Sequence, residues 1–459
     1  MAASKPPSKP EEGWTGARLI PTTGIGGQDD QERRATSSLL AVMHAVPPFG
    51  RALVQHLGAP AGRLTTYTEV RFEGEDAKLA IPDGAIVIEW GKTRWVCLVE
   101  VKTSGAPLVA EQVTRYLELA RINGFDAVLT ISNQLTTAPT ESPLVVSHPP
   151  KKVLLRHLSW WQVMTEARVQ HRFGGITNPD QEWILGELIA YLDHEKAGAG
   201  GFDDMGDKWV AVRDGARQRT LRPAEPGVRD VASRWEQFVE YLALGLYQDL
   251  GRAVTSNWPK KLGPAARLDL LTETLARQGR LEAAINVPGA IAPIELAADL
   301  GRRWFTTSVE VTAPEEGWPK TRINWIVRQL AGAPDDLRLE VRYPNVKEPT
   351  SGLLKDVRTK PERLLYGADP HRPPRTFRLS LAREMGAKRG NGPGSFVRAS
   401  RQQSVDFYRS IVQHLRPWAG SAPKLPETGA AASSQASPTP PDFSAPDARD
   451  FGEATEPES

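Results

Sequence analysis

The chain has very little cysteine and no long apolar run. One cysteine, Cys97, occurs in 459 residues, which excludes a disulfide scaffold and favours a reducing compartment. Nowhere do about 18 uncharged apolar residues follow one another, and the first residues show no basic region followed by an apolar core. We therefore expect a cytoplasmic protein without membrane spans.

Two common kinds of site are also absent from the pattern. The eight histidines include no pair at zinc-ligand spacing, and a single cysteine does not complete such a site. Gly91-Lys92-Thr93 resembles the end of a phosphate-binding loop, but Ile86 stands where that motif requires glycine. The sequence therefore predicts neither a zinc site nor a nucleotide-binding loop.

Charge is distributed unevenly along the chain. The formal net charge is +2, but residues 421–459 hold two basic and seven acidic residues, so the remainder carries +7. Residues 371–414 hold nine Lys or Arg against two acids, with the glycine-rich string AKRGNGPGSF in the middle. Such a segment can follow a phosphate backbone without reading sequence, although a plain basic surface has the same composition. The predicted nucleic-acid contacts are Arg372, Arg375, Arg378, Lys388, Arg389, Arg398 and Arg401.

A β-hairpin is predicted between residues 80 and 101. Residues 80–89 and 94–101 are largely apolar and β-branched, and a Gly-Lys pair between them supplies the turn. Because side chains alternate faces along a strand, Glu100 and Lys102 share one face, while the valines beside them enter the opposite layer. Asp83, on the first strand, is expected beside Glu100.

Asp83, Glu100 and Lys102 are the residue types that phosphodiester hydrolysis requires. Two converging carboxylates repel each other unless a cation lies between them, and partly filled oxygen ligands suit Mg²⁺ or Mn²⁺. Such an ion polarises the scissile phosphate, and an adjacent lysine can orient the attacking water or neutralise developing charge. The alternative is a solvated hairpin edge with an ordinary ion pair.

At Pro82-Asp83 and Glu100-Val101-Lys102 the chain resembles the PD-(D/E)xK nuclease superfamily, whose members share the restriction-endonuclease-like fold. The resemblance implies that Asp83 and Glu100 hold Mg²⁺, or Mn²⁺, together with the main-chain carbonyl of Val101. It implies that Lys102 positions or activates the water. It covers only the first half of the chain.

Three further residues follow from this resemblance. Gln112 and Tyr116 lie one helical turn apart and are similar to the QxxxY motif of the subgroup typified by nuclease domains of bacterial recombination helicase-nucleases; they would support the site or the substrate strand. The family usually carries a further glutamate on its first helix, where Glu32 is the best match and Glu69 a rival. An acid at the start of a helix also interacts favourably with the helix dipole, so Glu32 could occupy that position without a catalytic role.

The predicted organisation is α/β. A restriction-endonuclease-like mixed sheet flanked by helices precedes a second α+β domain of unrecognised fold. The pattern places helices at 29–46, 49–57 and 107–123, strands at 64–72, 127–131 and 152–158, and Ser159 as the N-cap of the next helix. The predicted parts are a flexible arm (1–28), the nuclease-like domain (29–192), a linker with a short strand at 209–212 (193–225), the second domain (226–420) and a disordered acidic tail (421–459).

The sequence thus predicts an Mg²⁺-dependent deoxyribonuclease, with genome defence or DNA repair as the expectation that the family suggests. DNA is the expected partner, a separate helicase and a second copy of the chain are candidate protein partners, and no membrane is involved. One alternative is a noncatalytic nucleic-acid-binding module that retains the fold. Another is a nuclease that acts on RNA, since phosphate chemistry does not depend on the sugar.

Overall fold

The computed structural model describes residues 18–22, 24–72, 81–136, 140–146, 149–259, 261–390 and 392–418. Most of the predicted arm and the whole predicted acidic tail lie outside these residues. The described residues all belong to one compact unit. Its described part is a mixed α/β structure with eleven α-helices and two β-sheets. No helix of the described part has the length and apolar character that crossing a bilayer demands.

The first sheet has five strands in sequential order and contains the predicted hairpin. The first three strands pair antiparallel and the last three pair parallel, so the sheet is mixed. Trp90 pairs with Thr93 across the Gly-Lys turn, which confirms the hairpin. The strands are β1 (Arg63–Thr68), β2 (Gly84–Trp90), β3 (Thr93–Val101), β4 (Ala127–Ser132) and β5 (Leu154–Ser159).

Helices cover both faces of this sheet. Val99 and Val101 of β3 pack with buried residues of α1, α2, α4 and α5, whereas Leu98 packs on the opposite face with α3. This alternation is the predicted one, and it places Glu100 on the α3 face, since it lies two residues from Leu98. The predicted Ser159 cap of α4 is confirmed, because its hydroxyl accepts a hydrogen bond from Gln162 N. The helices are α1 (Gln28–Ala45), α2 (Pro47–His56), α3 (Ala110–Ile122), α4 (Trp160–Phe173) and α5 (Pro179–Leu192).

His157 on β5 is buried, and each of its two ring nitrogens has a polar neighbour. Its Nδ1 lies 2.9 Å from Thr130 Oγ1 and its Nε2 lies 2.9 Å from Gln134 O. Burial lowers the pKa of His157 to about 4, so the ring is neutral in the folded chain at neutral pH. The unfolded chain takes up the proton near pH 6.5, and the contribution of His157 to stability is therefore complete above that pH and lost as pH falls towards 4.

We expect acid to destabilise the protein partly through His157. Between about pH 7.5 and pH 5 this residue alone should remove about 2 kcal/mol from the free energy of unfolding. Urea unfolding at both pH values measures the loss, and a His157→Gln variant, which does not titrate, should lose that much less. Equal losses in the two proteins would contradict the assignment.

The second sheet is entirely antiparallel and has seven strands. Its core is aromatic, with the rings of Trp209, Trp235, Phe238, Phe305 and Phe396 in mutual contact. In order across the sheet, the strands are β11 (Thr350–Leu353), β10 (Arg338–Arg342), β12 (Thr376–Glu384), β9 (Trp304–Thr312), β8 (Ile294–Asp299), β7 (Arg280–Asn286) and β6 (Thr255–Ser256). The helices are α6 (Trp209–Gln218), α7 (Pro226–Leu250), α8 (Pro264–Gln278), α9 (Pro319–Gln329), α10 (Leu354–Thr359) and α11 (Phe396–Ser410).

One prediction in this half requires correction. The predicted strand at 209–212 is wrong, because these residues begin α6, where Trp209, Val212 and Ala216 are buried at helical spacing. In the basic segment 371–414, the structure has β12 and α11. Between them lies the glycine-rich string, of which residue 391 is not described.

The two sheets are joined by polar contacts between α4 and α7. Gln248 Nε2 donates to Thr165 Oγ1 at 2.7 Å, and Arg168 donates to Gln248 Oε1 at 2.8 Å. The hydroxyl of Tyr247 donates to Glu166 Oε2 at 3.2 Å. Because the amide of Gln248 is held on both sides, the two helices are fixed in register as well as in contact.

Candidate active site

The register of the hairpin brings Asp83 beside Glu100. Gly84 pairs with Val99, so the residue before Gly84 lies opposite the residue after Val99. Asp83 is fixed there because its Oδ2 accepts a hydrogen bond from Val101 N at 2.7 Å. Gly84 must be glycine, since a Cβ would lie 2.4 Å from Leu40 Cδ1 and 2.7 Å from Tyr67 O. The backbone of the Asp83 segment therefore packs directly against α1 and β1.

Lys102 joins Glu100 to a third carboxylate from α1. Its Nζ lies 2.9 Å from Glu100 Oε1 and 3.2 Å from Glu32 Oε2. The side chain of Glu100 is 1% exposed, and besides the contact with Lys102 its two carboxylate oxygens have no well-aligned hydrogen-bond partner among the described residues. A buried carboxylate with a single cationic partner is under-satisfied, so these oxygens can accept a further ligand.

Electrostatics at the site favour binding of a cation. Burial, reinforced by the charge of Asp83, raises the pKa of Glu100 to about 7, and burial also raises the pKa of Asp83. Burial opposes the charge of Lys102, but hydrogen bonding and attraction by Glu100 and Glu32 outweigh it and raise the pKa of the lysine. The site is therefore short of positive charge even with Lys102 in place.

Gln112 and Tyr116 hold the segment that carries Asp83. Gln112 Nε2 donates to the Tyr116 hydroxyl at 3.0 Å, and this hydroxyl donates to Ile81 O at 3.2 Å. Tyr116 is 2% exposed, and burial raises its pKa, so it remains a neutral donor. The structure thus brings both residues to the site as supports of the backbone two residues before Asp83.

Of the two glutamates that the resemblance offers, only Glu32 on α1 contacts Lys102 among the described residues. Glu32 contacts Lys102, whereas Glu69 is exposed and has a left-handed backbone, with φ of 49°. The carbonyl of Val101, which the resemblance implies as a metal ligand, is on the side of β3 that faces Asp83. The N–H of Val101 faces Asp83, and the N–H and C=O of one strand residue face the same neighbouring strand, so its carbonyl lies on the Asp83 side.

Three residues that the sequence does not single out frame the turn after Lys102. Gln31 Oε1 accepts from Thr103 Oγ1 at 3.1 Å. Asn133 Oδ1 accepts from Gly105 N at 3.1 Å. Trp160 Nε1 donates to the carbonyl of Lys102 at 2.8 Å, and its side chain is fully buried. The only sequence signal for the tryptophan is its place directly after the Ser159 cap; the other two carry none.

Asp83, Glu100 and the Val101 carbonyl, the three predicted metal ligands, offer the oxygen atoms that hard divalent ions prefer. Within the described ranges, no group of three or more His, Cys, Asp or Glu side chains is arranged to hold a metal. Mg²⁺ is commonly bound by one or two carboxylates, with water and substrate phosphate completing the shell. The buried oxygens of Glu100, which only Lys102 approaches at ion-pair distance among the described residues, are the observation that fits such an ion.

The seven basic residues predicted to contact nucleic acid meet several different partners. Arg378 pairs with Glu295 and Arg389 pairs with Asp204 and Asp207. The guanidinium of Arg372 lies 5.2 Å from the ring centre of Tyr366, and that of Arg401 lies 5.5 Å from Tyr241. Arg375, Lys388 and Arg398 are exposed. Internal carboxylates therefore neutralise part of this set.

Comparison with known proteins gives no relationship on which to rely. No family model matches the chain, and no curated protein matches its sequence. The assignment of the site therefore depends on its geometry.

Proposed function

We propose that the chain is a divalent-metal-dependent nuclease with a restriction-endonuclease-like first half. The observation that carries the proposal is the buried carboxylate of Glu100, which lies beside Asp83 and has the Lys102 ammonium as its one ion-pair partner among the described residues. The mixed five-stranded sheet, with the acidic hairpin followed by α3, supports the proposed fold. DNA is the proposed substrate, and genome defence or repair the proposed setting.

The residues of the site have distinct proposed roles. Asp83, Glu100 and the Val101 carbonyl would hold Mg²⁺ or Mn²⁺, which supplies Lewis-acid polarisation of the phosphate when bound. Lys102 donates to the attacking water or to a phosphate oxygen, and Glu32 orients the ammonium group. Gln112 and Tyr116 keep the Asp83 segment in place through Ile81 O.

A noncatalytic nucleic-acid-binding module is the second candidate, and one observation favours it. Lys102 contacts Glu100 and Glu32 at ion-pair distance, so the site is partly neutralised without a metal. A chain that had lost catalysis could retain such a cluster for structure alone. Binding of DNA without cutting, in any divalent ion, would favour this candidate.

The testing experiment is cleavage of nucleic acid by the purified chain. We expect cutting of DNA in Mg²⁺ or Mn²⁺ and none in EDTA. Circular single-stranded and circular duplex substrates, beside their linear forms, separate endonuclease from exonuclease action, and matched RNA substrates test the alternative sugar. Absence of cleavage of every substrate in both metals would overturn the proposal.

A further inference from the structure

An arginine-lined cavity of about 450 Å³ lies in the second half of the chain, outside the basic segment 371–414. It forms where α6 and α8 end and where the turn after β8 begins. Five arginines line it against one carboxylate, that of Asp299, namely Arg217, Arg219, Arg277, Arg280 and Arg302. No step of the proposed cleavage uses these residues.

The floor of the cavity is built by close packing. Gly279, with φ of 66°, closes α8, and a Cβ there would lie 3.4 Å from Ala216 Cβ. The main chain of Gly301 also comes close to α6, since its Cβ would lie 3.6 Å from Ala216 O. Leu300 N donates to Gly279 O at 2.9 Å. The three segments that carry the arginines are therefore fixed relative to one another.

Much of the positive charge at this cavity is unpaired. Within the part of the chain that the structure describes, neither Arg217 nor Arg219 has a carboxylate within ion-pair distance. Arg302 is 78% exposed and lies 4.0 Å from Asp299 Oδ2, which Arg280 approaches more closely at 3.2 Å. Among the described residues, Arg277 pairs only with Glu273 of its own helix.

Helix termini alone do not explain this charge. Arginine near the C-terminus of a helix compensates a partial charge of about half an electron. Two helix ends, Asp299 and the Glu273 partner of Arg277 therefore require roughly three arginines, and five are present. The surplus faces a concave surface, where it attracts anions more strongly than it would on a convex one.

We propose that this cavity binds phosphate groups of a polynucleotide backbone. The guanidinium group donates two parallel hydrogen bonds to a phosphate and keeps its charge at every physiological pH. Arginines from three segments can engage successive phosphates without reading bases. The inference rests on the proposed nuclease function, for which it supplies a substrate contact away from the metal site.

The test measures binding separately from cutting. Anisotropy of labelled single-stranded and duplex DNA is followed in EDTA, for the full chain and for a variant with Arg217→Glu, Arg219→Glu and Arg302→Glu. Between about 50 and 200 mM salt we expect the triple variant to bind DNA about tenfold more weakly than the wild type. We also expect its slope of log affinity against log salt to be shallower by about two to three. A matched double reversal, Arg51→Glu with Arg328→Glu on exposed helix positions, should change affinity less than about twofold.

Each outcome discriminates. Equal affinity and salt slope in the triple variant and the control would overturn the proposal. A nucleoside triphosphate serves as a free phosphate probe. If the wild type binds it and the triple variant does not, while both bind DNA equally, the cavity serves small phosphates and the proposal is overturned. Failure of the nuclease proposal has a different signature, in which the wild type binds DNA through this cavity but cuts nothing in Mg²⁺ or Mn²⁺.

Discussion

Replacement of Glu100 by glutamine should abolish cleavage without destabilising the fold. The carboxylate is 1% exposed, its one ion-pair partner among the described residues is Lys102, and Lys102 keeps its contact with Glu32 when Glu100 is replaced. Glutamine has the same shape and removes a charge that burial disfavours, since burial raises the pKa of Glu100 to about 7. We expect a loss of activity of about a thousandfold, with an unfolding temperature in EDTA equal to or above that of the wild type.

The same variant tests for a metal by a readout other than activity. An ion that binds only the folded chain stabilises it by about 2.7 kcal/mol at roughly 100 times its dissociation constant. Mg²⁺ should therefore raise the unfolding temperature of the wild type and leave that of Glu100→Gln unchanged. Glu118→Gln, at a half-buried acid on α3 that pairs with Arg121, is the control away from the site and should bind Mg²⁺ as the wild type does. A marked loss of stability in Glu100→Gln would instead identify a structural ion pair.

The acidic hairpin could be predicted from the sequence because its determinants are local. The two-residue turn sets the register, and the register sets which residue faces Glu100. Alternation along β3 then separates Glu100 from the valines that enter the core. The sequence alone does not distinguish Glu32 from Glu69. Only the packing of α1 against the end of β3 brings Glu32 into contact with Lys102.

The contacts that frame the site could not be predicted, because they join distant segments. Trp160 reaches the carbonyl of Lys102 across 58 positions of the chain, and Gln31 reaches Thr103 across 72. Neither residue type carries a motif that would indicate such a contact. Their roles depend on how α1 and α4 pack against the sheet, which is a property of the whole core.

In the second half, the short pattern at 209–212 predicts the wrong secondary structure. Residues 209–212 are an apolar, valine-rich run of strand-like composition, but burial of Trp209, Val212 and Ala216 on one face makes them helical. Within the basic segment 371–414, Phe377, Leu379 and Leu381 alternate with more exposed residues and form the core face of β12. The arginine cavity draws on three separate segments, so no single stretch of sequence reveals it.

Replacement of Lys102 by methionine should separate metal binding from catalysis. Methionine has nearly the length of lysine and removes the ammonium group that contacts Glu100 at 2.9 Å and Glu32 at 3.2 Å. The two carboxylates then lose their cation, and breaking such a buried pair costs about 3 kcal/mol. In EDTA we therefore expect a lower unfolding temperature than that of the wild type, in contrast to Glu100→Gln.

Mg²⁺ should restore much of this loss, because the metal then neutralises carboxylates that Lys102 no longer contacts. The stabilisation by Mg²⁺ should exceed that of the wild type, while cleavage falls by about a hundredfold to a thousandfold for want of the group that orients water. Lys92→Met, at the exposed turn of the same hairpin, is the control. A Lys102→Met variant that cuts DNA at the wild-type rate would show that the lysine only neutralises the site, whereas loss of the Mg²⁺ effect would place Lys102 in the binding of the metal itself.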